Sequence, residues 1–263
     1  MKAKRLFALL LAVCIILSVG ACGRTGGAYT IVEVLEEGNY AIGFRNNDPT
    51  ADYVEAALKV LAARGKVAEL ETKWFNDNVI RIDKDAGALE KLGNIPQRSF
   101  IMGLDPDNFP MSYVSNGVYM GFDVELCRAV CDLLGWELKF AEVEDEGKAY
   151  VHLISGNVDA VWGGMLLNPN EKDYSVRCPY MKGGSVIVVL AGSGLNSLRK
   201  LGDKCIGMND APRYAQALQG TGLSSTAQVV VMSEGSEVLF DSLYSGTYDA
   251  IVTDYAAAQY YMR

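Results

Sequence analysis

Histidine is nearly absent from this sequence, and its cysteines follow no metal-binding pattern. His152 is the single histidine, and the six cysteines fall at spacings that match no zinc motif. The chain also lacks a phosphate-binding loop and a Gly-x-Ser-x-Gly nucleophile motif. We therefore expect no metal site, no cofactor and no histidine-based catalysis, and we interpret His152 as a helix-surface or core residue.

Basic residues are fewer than acidic ones in this sequence. Lys and Arg number 24 against 32 Asp and Glu, which gives a net charge of −8 and argues against nucleic acid or an anionic membrane surface as partner. Half of the residues are hydrophobic and neither charge sign forms a long run, as is typical of a globular chain. A length of 263 residues suffices for one large or two modest domains, each with its own core.

Long apolar runs are confined to the N-terminus. A basic start, Lys2-Ala3-Lys4-Arg5, precedes the apolar residues 6–19, which are too few and wrongly flanked for a membrane span. The run ends in Val19-Gly20-Ala21-Cys22, which resembles a bacterial lipobox. We therefore predict a signal peptide over residues 1–21 and an extracytoplasmic protein anchored to the cell membrane through lipid on Cys22. The alternative is a plain signal peptide that is cleaved nearby.

Strand-like and helix-like segments alternate from residue 29 almost to the end, after a linker over residues 22–28. This alternation predicts an α/β fold with mainly parallel sheets. The polar stretch 76–98 contains Gly87, Gly93 and Pro96 and is typical of a connector with one short helix over residues 86–92. Predicted strands cover residues 29–34, 40–45, 99–104, 137–143, 158–162, 185–190, 205–208, 228–232 and 250–253. Predicted helices cover residues 50–64, 66–75, 124–134, 148–155, 212–219, 237–244 and 255–262.

Residues 98–180 carry a series of motifs that resemble one known family, and a further piece lies near the C-terminus. The motifs are Gly103-Leu104-Asp105-Pro106, Phe109-Pro110-Met111-Ser112-Tyr113, Gly121-Phe122-Asp123-Val124-Glu125-Leu126, Ser155 through Met165, Pro179-Tyr180 and Asp249 through Asp254. They are similar to those of the bacterial extracellular solute-binding proteins of family 3, the receptors of polar amino-acid ABC transporters. The resemblance implies a two-lobed periplasmic-binding-protein fold of type II with a hinge. In Gly121-Phe122-Asp123 we expect a turn and a cap for the following helix.

The order of the segments departs from that family. Residues 40–45, the helix after Asp48 and Lys73-Trp74-Phe75 resemble the segment that closes an ordinary member, yet here they come first. We interpret this as a circular permutation in which residues 76–98 join the former ends. The alternative, a shorter receptor with an unrelated front extension, would leave the larger lobe without a strand and two helices.

The permuted order predicts how the chain divides between the lobes. We expect a larger lobe over residues 41–187, which contains the connector 76–98. The smaller lobe would then combine residues 29–40 with residues 188–263.

The resemblance also implies a ligand site between the lobes, at the carboxyl ends of strands. Asp105 and Asp254 stand where the family has cleft aspartates, and Asp254 would bind a ligand ammonium group. Each has an ordinary structural alternative, because Asp254 is also placed to cap the next helix and Asp105 to stabilise a turn before Pro106. Asn209 resembles part of an anion-binding loop, with a plain turn or cap as the alternative.

The loop around Gly164, Met165 and Leu166 should also reach the ligand. Three departures from the family fall at or near these positions. Glu171 stands where the family has an arginine that binds the ligand carboxylate, and Leu166 replaces a small hydroxyl residue. The position of an aromatic clamp falls on Asn108, although Phe109 is adjacent and is the expected substitute.

The acidic residues leave the ligand open between two classes. A carboxylate ligand would be repelled by them unless Lys172, Arg177 or Arg213 turned toward it, so the alternative is a cationic or carboxylate-free solute. Glu171 would then select for positive charge, unless it merely faces solvent.

The expected function is that of a monomeric lipoprotein that binds a small polar solute, first of all an amino acid, and delivers it to an ABC transporter permease. Alternatives are a sensory or degenerate receptor and, less in keeping with the residues, a lyase-type or hydratase enzyme on the same fold.

Overall fold

A computed structural model describes residues 27–75, 78–143, 146–164, 166, 170–233 and 235–263 of the chain. Strands and helices alternate in it, as the sequence predicts. The strands are β1 (Tyr29–Phe44), β2 (Ser99–Leu104), β3 (Asp107–Asn108), β4 (Ser112–Ser115), β5 (Val118–Met120), β6 (Glu137–Glu142), β7 (Ala160–Val161), β8 (Ser175–Leu190), β9 (Cys205–Asn209), β10 (Gln228–Met232) and β11 (Ala250–Asp254). The helices are α1 (Thr50–Ala63), α2 (Lys66–Trp74), α3 (Phe122–Leu134), α4 (Ala149–Ile154), α5 (Pro212–Gln219), α6 (Ser236–Tyr244) and α7 (Tyr255–Tyr261).

The first helix shows how local sequence sets the ends of an element. Asp48 Oδ1 accepts the Thr50 amide at 2.9 Å, so one of the unpaired donors of the first turn is bonded. At the other end Gly65 adopts φ +82, a conformation that side chains rarely take, and the chain turns into α2. Between these signals Val54 and Leu58 are buried in the core.

Eight strands form one sheet in the order β10-β9-β11-β8-β1-β7-β2-β6. At one end β10, β9 and β11 run parallel, and at the other end β7, β2 and β6 run parallel. Between them β1 and β8 pair antiparallel along their whole length, from Tyr29 opposite Leu190 to Phe44 opposite Ser175. The fold therefore consists of two parallel α/β units joined through one pair of long strands.

The two long strands correct the sequence prediction. Separate strands were expected over residues 29–34 and 40–45, and a strand beginning at Ser185, but β1 and β8 each continue for 16 residues. The polar residues between the predicted strands stay paired: Glu37 lies opposite Gly184 and Gly38 opposite Gly183. Gly184 has φ +131, and a Cβ there would lie 1.9 Å from the Glu36 carbonyl oxygen, so the close approach of the strands requires glycine.

The hydrophobic clusters define two lobes. The larger lobe contains α1 to α4 and β2 to β7 with the adjoining halves of β1 and β8, and its main cluster joins Ile42, Leu58, Phe100, Leu126 and Met181. The smaller lobe contains β9 to β11, α5 and α6 with the other halves of the long strands. The predicted division of the chain at 40/41 and 187/188 falls within these two strands.

The sheet of the smaller lobe is covered on both faces. Ile187 and Val189 pack in one cluster with Leu218 of α5, while Val186 and Val188 pack in another with Leu239 of α6. This alternation along β8 is the period-2 pattern of a strand that is buried on both sides. Helix α7 bridges the lobes, because Ala256 belongs to the main cluster of the larger lobe and Ala257 to the smaller lobe.

Asp159 ties distant parts of the larger lobe together. Its Oδ1 pairs with Arg45 at the end of β1 and with Arg98, which immediately precedes β2, and its Oδ2 accepts the Ile101 amide at 2.8 Å. Arg45 also donates to the Val158 carbonyl at 2.7 Å. The segment that precedes the connector is thus integrated into the same core as the segment that follows it.

Three local predictions were wrong or incomplete. Asp123 does not cap α3: it is fully buried, and its Oδ2 accepts the Tyr180 hydroxyl at 2.8 Å. The short helix expected over residues 86–92 is a single 3-10 turn, Leu89–Leu92. The small antiparallel sheet of β3, β4 and β5 was not predicted.

Within the part of the chain that the structure describes, none of the helices combines the length and the apolar character needed to cross a membrane.

Candidate ligand-binding site

A cavity of about 640 Å³ lies between the lobes, within the size range of small-molecule sites. It opens where β2, β9 and β11 end, so the carboxyl ends of parallel strands from both lobes converge on it. The described residues that line it are Asp105, Asp107, Asn108, Phe109, Gly147, Asn209, Asp210, Ala211, Pro212, Arg213, Tyr214, Gln216, Ser236, Thr253, Asp254 and Ala257.

On the smaller-lobe wall an arginine and an aspartate form an ion pair. Arg213, in the first turn of α5, donates from Nη2 to Asp254 Oδ2 at 2.8 Å and to the Tyr214 hydroxyl at 3.2 Å. The side chains of Arg213 and Asp254 are only 24% and 11% exposed, so water screens this pair less than a surface pair. Asp254 is the residue before α7, but its side chain makes no capping hydrogen bond.

Two tyrosines lie next to this ion pair. Burial raises the pKa of Tyr214, and the nearby Asp254 charge raises it further. Burial and the Asp254 charge act in the same way on Tyr40, which lies in β1 where the long strands pass between the lobes. Both phenols therefore stay neutral near pH 7, so the charges on this wall are those of the Arg213–Asp254 pair and of Asp210.

On the larger-lobe wall the predicted residues are tied to their own loops. Asp105 Oδ1 accepts the Asp107 amide at 2.9 Å, the turn-stabilising role given as the alternative from sequence. Asn108 Nδ2 donates to the carbonyl oxygens of Gly163 and Gly164 at 3.2 and 3.1 Å. These bonds hold the Asp105 and Asn108 side chains against neighbouring backbone.

The structure brings five of the predicted site residues together and leaves others away from the cavity. Asp105, Asn108, Phe109, Asn209 and Asp254 line it. Met165 and Cys22 lie outside the described residues.

Gly164, Leu166 and Glu171 are not on the described cavity wall. Gly164 has φ +71 and lies against Met111, where a Cβ would come within 2.5 Å of the Met111 Cβ. Leu166 packs on the long strands instead, where a Cβ on Gly183 would approach it to 2.9 Å. The Glu171 carboxylate accepts the amides of Lys172 and Asp173 at 2.7 and 3.0 Å and thereby caps its own turn.

The lobes also touch beside the cavity through aromatic rings. Phe109 packs edge-on against Tyr260 of α7, with ring centroids 4.7 Å apart, and Tyr260 in turn lies 6.1 Å from Trp74 of α2. The Ser236 hydroxyl donates to the Phe109 carbonyl at 3.3 Å. Phe109 also lies 6.1 Å from Tyr261, which packs against the smaller-lobe cluster, so Phe109 links the two lobes at the cavity.

Sequence reasoning missed part of the smaller-lobe wall. Arg213 was considered only as one of three cations that could turn toward a ligand, and Tyr214, Ser236 and Thr253 were not considered. A signal was present, because residues at the start of a helix that follows a parallel strand lie at the carboxyl edge of the sheet.

The fold and the cavity define a two-lobed solute-binding protein, and comparison with known proteins places it in a family. The chain belongs to the bacterial extracellular solute-binding proteins, family 3, whose pattern matches residues 100–258. It is 32% identical over 113 residues to the arginine-binding extracellular protein of Bacillus subtilis (strain 168), a match that covers 43% of this chain and 44% of that protein. The chain thus spans less than half the length of this curated relative.

Solved structures agree in fold. An ancestral cationic amino acid solute-binding protein superposes with a TM-score of 0.52 at 28% identity, covering 59% of this chain and 69% of that one. An ABC uptake transporter substrate-binding protein from Streptococcus pneumoniae with bound histidine superposes with a TM-score of 0.50 at 24% identity, covering 62% and 68%. The second likeness concerns the fold alone.

Proposed function

We propose that this protein is the receptor of an ABC importer for a cationic amino acid, which binds in the cavity between the lobes and is released unchanged. The observation that carries the proposal is the charge of the cavity lining, where the described residues include four aspartates and one arginine. A ligand with two cationic groups and one carboxylate complements such a wall better than a neutral or acidic amino acid.

The relatives support the same charge class. The curated relative is an arginine-binding protein, and a structural relative above 25% identity is a cationic amino acid solute-binding protein. The hinge would lie in the paired strands β1 and β8, because these two strands run through both lobes.

Thermal-shift measurements on the purified protein test the charge class with a matched pair of ligands. Arginine and citrulline differ little in shape but differ by one positive charge. A ligand at 100 times its dissociation constant stabilises the folded state by about 2.7 kcal/mol. We expect a clear upward shift with arginine or lysine and a much smaller one with citrulline or glutamate. Citrulline or glutamate shifts as large as that of arginine would contradict the proposal.

We also propose that lipid on Cys22 holds the receptor at the outer face of the cell membrane. The support is the sequence alone: a basic start, an apolar run of signal-peptide length and the Val19-Gly20-Ala21-Cys22 block. Cys22→Ala should release the protein from the membrane fraction, and mass spectrometry of the wild-type N-terminus should find acyl chains. An unmodified N-terminus on another residue would contradict this proposal.

The circular permutation remains part of the proposal. It is supported by the packing of α1 and α2 in the core of the larger lobe and by Gly27, where a Cβ would lie 2.8 Å from the Met262 carbonyl oxygen. A rearranged chain, opened within residues 76–98 and joined between Arg263 and Gly27 by a short linker, should fold and keep the ligand preference. Failure of such chains with several linker lengths would contradict the permutation.

A further inference from the structure

The bound carboxylate needs a cation, and the position expected from the family resemblance does not supply one. Glu171 stands at that position, turned to solvent and bonded to its own turn. Arg177 is committed elsewhere, with Nη2 at 2.9 Å from Asp52 and 3.0 Å from Glu55 on the surface of the larger lobe. Lys172 is exposed and, like Arg177, does not line the cavity.

Arg213 has the geometry that the other cations lack. It lies on the cavity wall in the first turn of α5, and Asp254 and Tyr214 fix the plane of its guanidinium group. A guanidinium carries five N–H donors, so it binds two carboxylates at once. The amides at the start of α5 add positive potential on the same side.

We propose that Arg213 binds the carboxylate of the amino acid, so that the carboxylate-binding arginine of this receptor lies on the smaller lobe. Asp254 then serves to orient the guanidinium rather than to bind the ligand ammonium. The positive groups of the ligand are directed across the cavity toward Asp105 and Asp107 on the larger-lobe wall. This inference rests on the proposed function and adds to it the direction in which the ligand lies.

Isothermal titration with arginine and agmatine tests the inference, because agmatine is arginine without the carboxylate. The wild-type protein should prefer arginine by about 100-fold, as expected for a shielded charge pair. The double variant Arg213→Gln/Asp254→Asn removes the guanidinium but keeps the net charge of the wall, and it should bind the two ligands with affinities within about threefold. Arg177→Gln is the matched control and should keep the full preference.

A second variant tests the role of Arg213 even if the double variant does not fold. Arg213→Lys keeps the positive charge without the planar fork, and its preference for arginine should fall to about tenfold. If Arg213 had only a structural role, the substitution would lower the affinities for arginine and agmatine equally and leave their ratio unchanged. That result would overturn the inference.

The two proposals fail in different ways. A wild-type protein that binds agmatine as tightly as arginine overturns the role of Arg213 and leaves the cationic receptor standing. A wild-type protein that binds neither ligand, nor lysine, overturns the proposed function and the inference with it.

Discussion

The two lobes contain the same local pattern with different long-range partners. Ser155-Gly156-Asn157-Val158-Asp159-Ala160 in the larger lobe corresponds to Ser245-Gly246-Thr247-Tyr248-Asp249-Ala250 in the smaller. In both, a helix ends, the glycine takes a positive φ of 75 or 78, and a buried strand begins after the aspartate. Asp159, however, pairs with two arginines, whereas Asp249 accepts the Cys205 amide at 2.9 Å. The pattern sets the local turn, and residues far away in sequence decide what the turn contributes to stability.

A change in the strands that both lobes share should have the largest effect and destabilise both copies of the pattern together. Gly184→Ala would place a Cβ 1.9 Å from the Glu36 carbonyl oxygen at φ +131, so we expect a loss of about 3 kcal/mol in the free energy of unfolding. Gly192→Ala is the control, because its φ is +79 but nothing lies within 4 Å of the added Cβ; it should cost about 1 kcal/mol. Urea unfolding measures both, and equal losses would contradict the steric argument.

The two aspartates themselves provide the next test. Asp159→Ala removes two ion pairs and an amide acceptor and should cost about 2 kcal/mol, because its arginine partners remain partly exposed to water. Asp249→Ala removes one amide bond and should cost about 1 kcal/mol. In thermal unfolding these losses correspond to roughly 4–8 °C and 2–4 °C. Equal shifts in the two variants would show that the long-range partners of Asp159 add nothing.

A pH series sharpens the comparison for the buried aspartates. Asp254 has a guanidinium partner, whereas Asp123 in the larger lobe lies against the Tyr180 hydroxyl. Burial raises the pKa of Asp123 to about 7, although the hydrogen bond from the Tyr180 hydroxyl lowers it in part.

Because folding disfavours the Asp123 charge, the free energy of unfolding should fall as pH rises from about 4, the unfolded pKa, to about 7. Asp123→Asn does not titrate, so its stability relative to wild type should rise over the same interval and level off above pH 7. We expect a change of a few °C in the difference between melting temperatures at pH 5 and pH 7.5. A difference that is independent of pH would contradict a raised pKa.

The smallest effect should come from Glu171. Since its carboxylate bonds to the amides of its own turn and is absent from the described cavity wall, Glu171→Gln should change ligand affinity by less than about twofold. Titration calorimetry with arginine measures this change in affinity. A tenfold change would show that Glu171 takes part in ligand binding.

Local signals in the sequence predicted much of the fold. Helices α1 and α5 were predicted almost residue for residue, because Asp48, Gly65 and Pro212 act on their immediate neighbours. The continuity of β1 was not predicted, since residues 36–39 are polar and contain a glycine, and only the pairing with β8 keeps them extended.

The sequence predicted where the site lies better than it predicted the interactions of the residues that form it. Asp105 follows β2, and Asn209 and Asp254 are the last residues of β9 and β11; these positions at the strand ends place them at the cavity. The partner of Asp254 could not be read from sequence, because Arg213 is 41 residues away and meets it only after β9 and β11 pair in parallel. Asp123 was misassigned for a similar reason: Tyr180, 57 residues away, replaces the expected capping bond.

The aromatic contact between α2 and α7 gives the protein a built-in optical reporter. The chain has three tryptophans, Trp74, Trp136 and Trp162, and all three lie in the larger lobe. Only Trp74 contacts a ring from α7 among the described aromatic pairs, with Tyr260 6.1 Å away. We expect a movement of α7 relative to α2 to change the surroundings of this indole and to leave those of the other two unchanged. The emission of Trp74 should therefore follow movement of α7, whose Ala257 lines the cavity, without any attached dye.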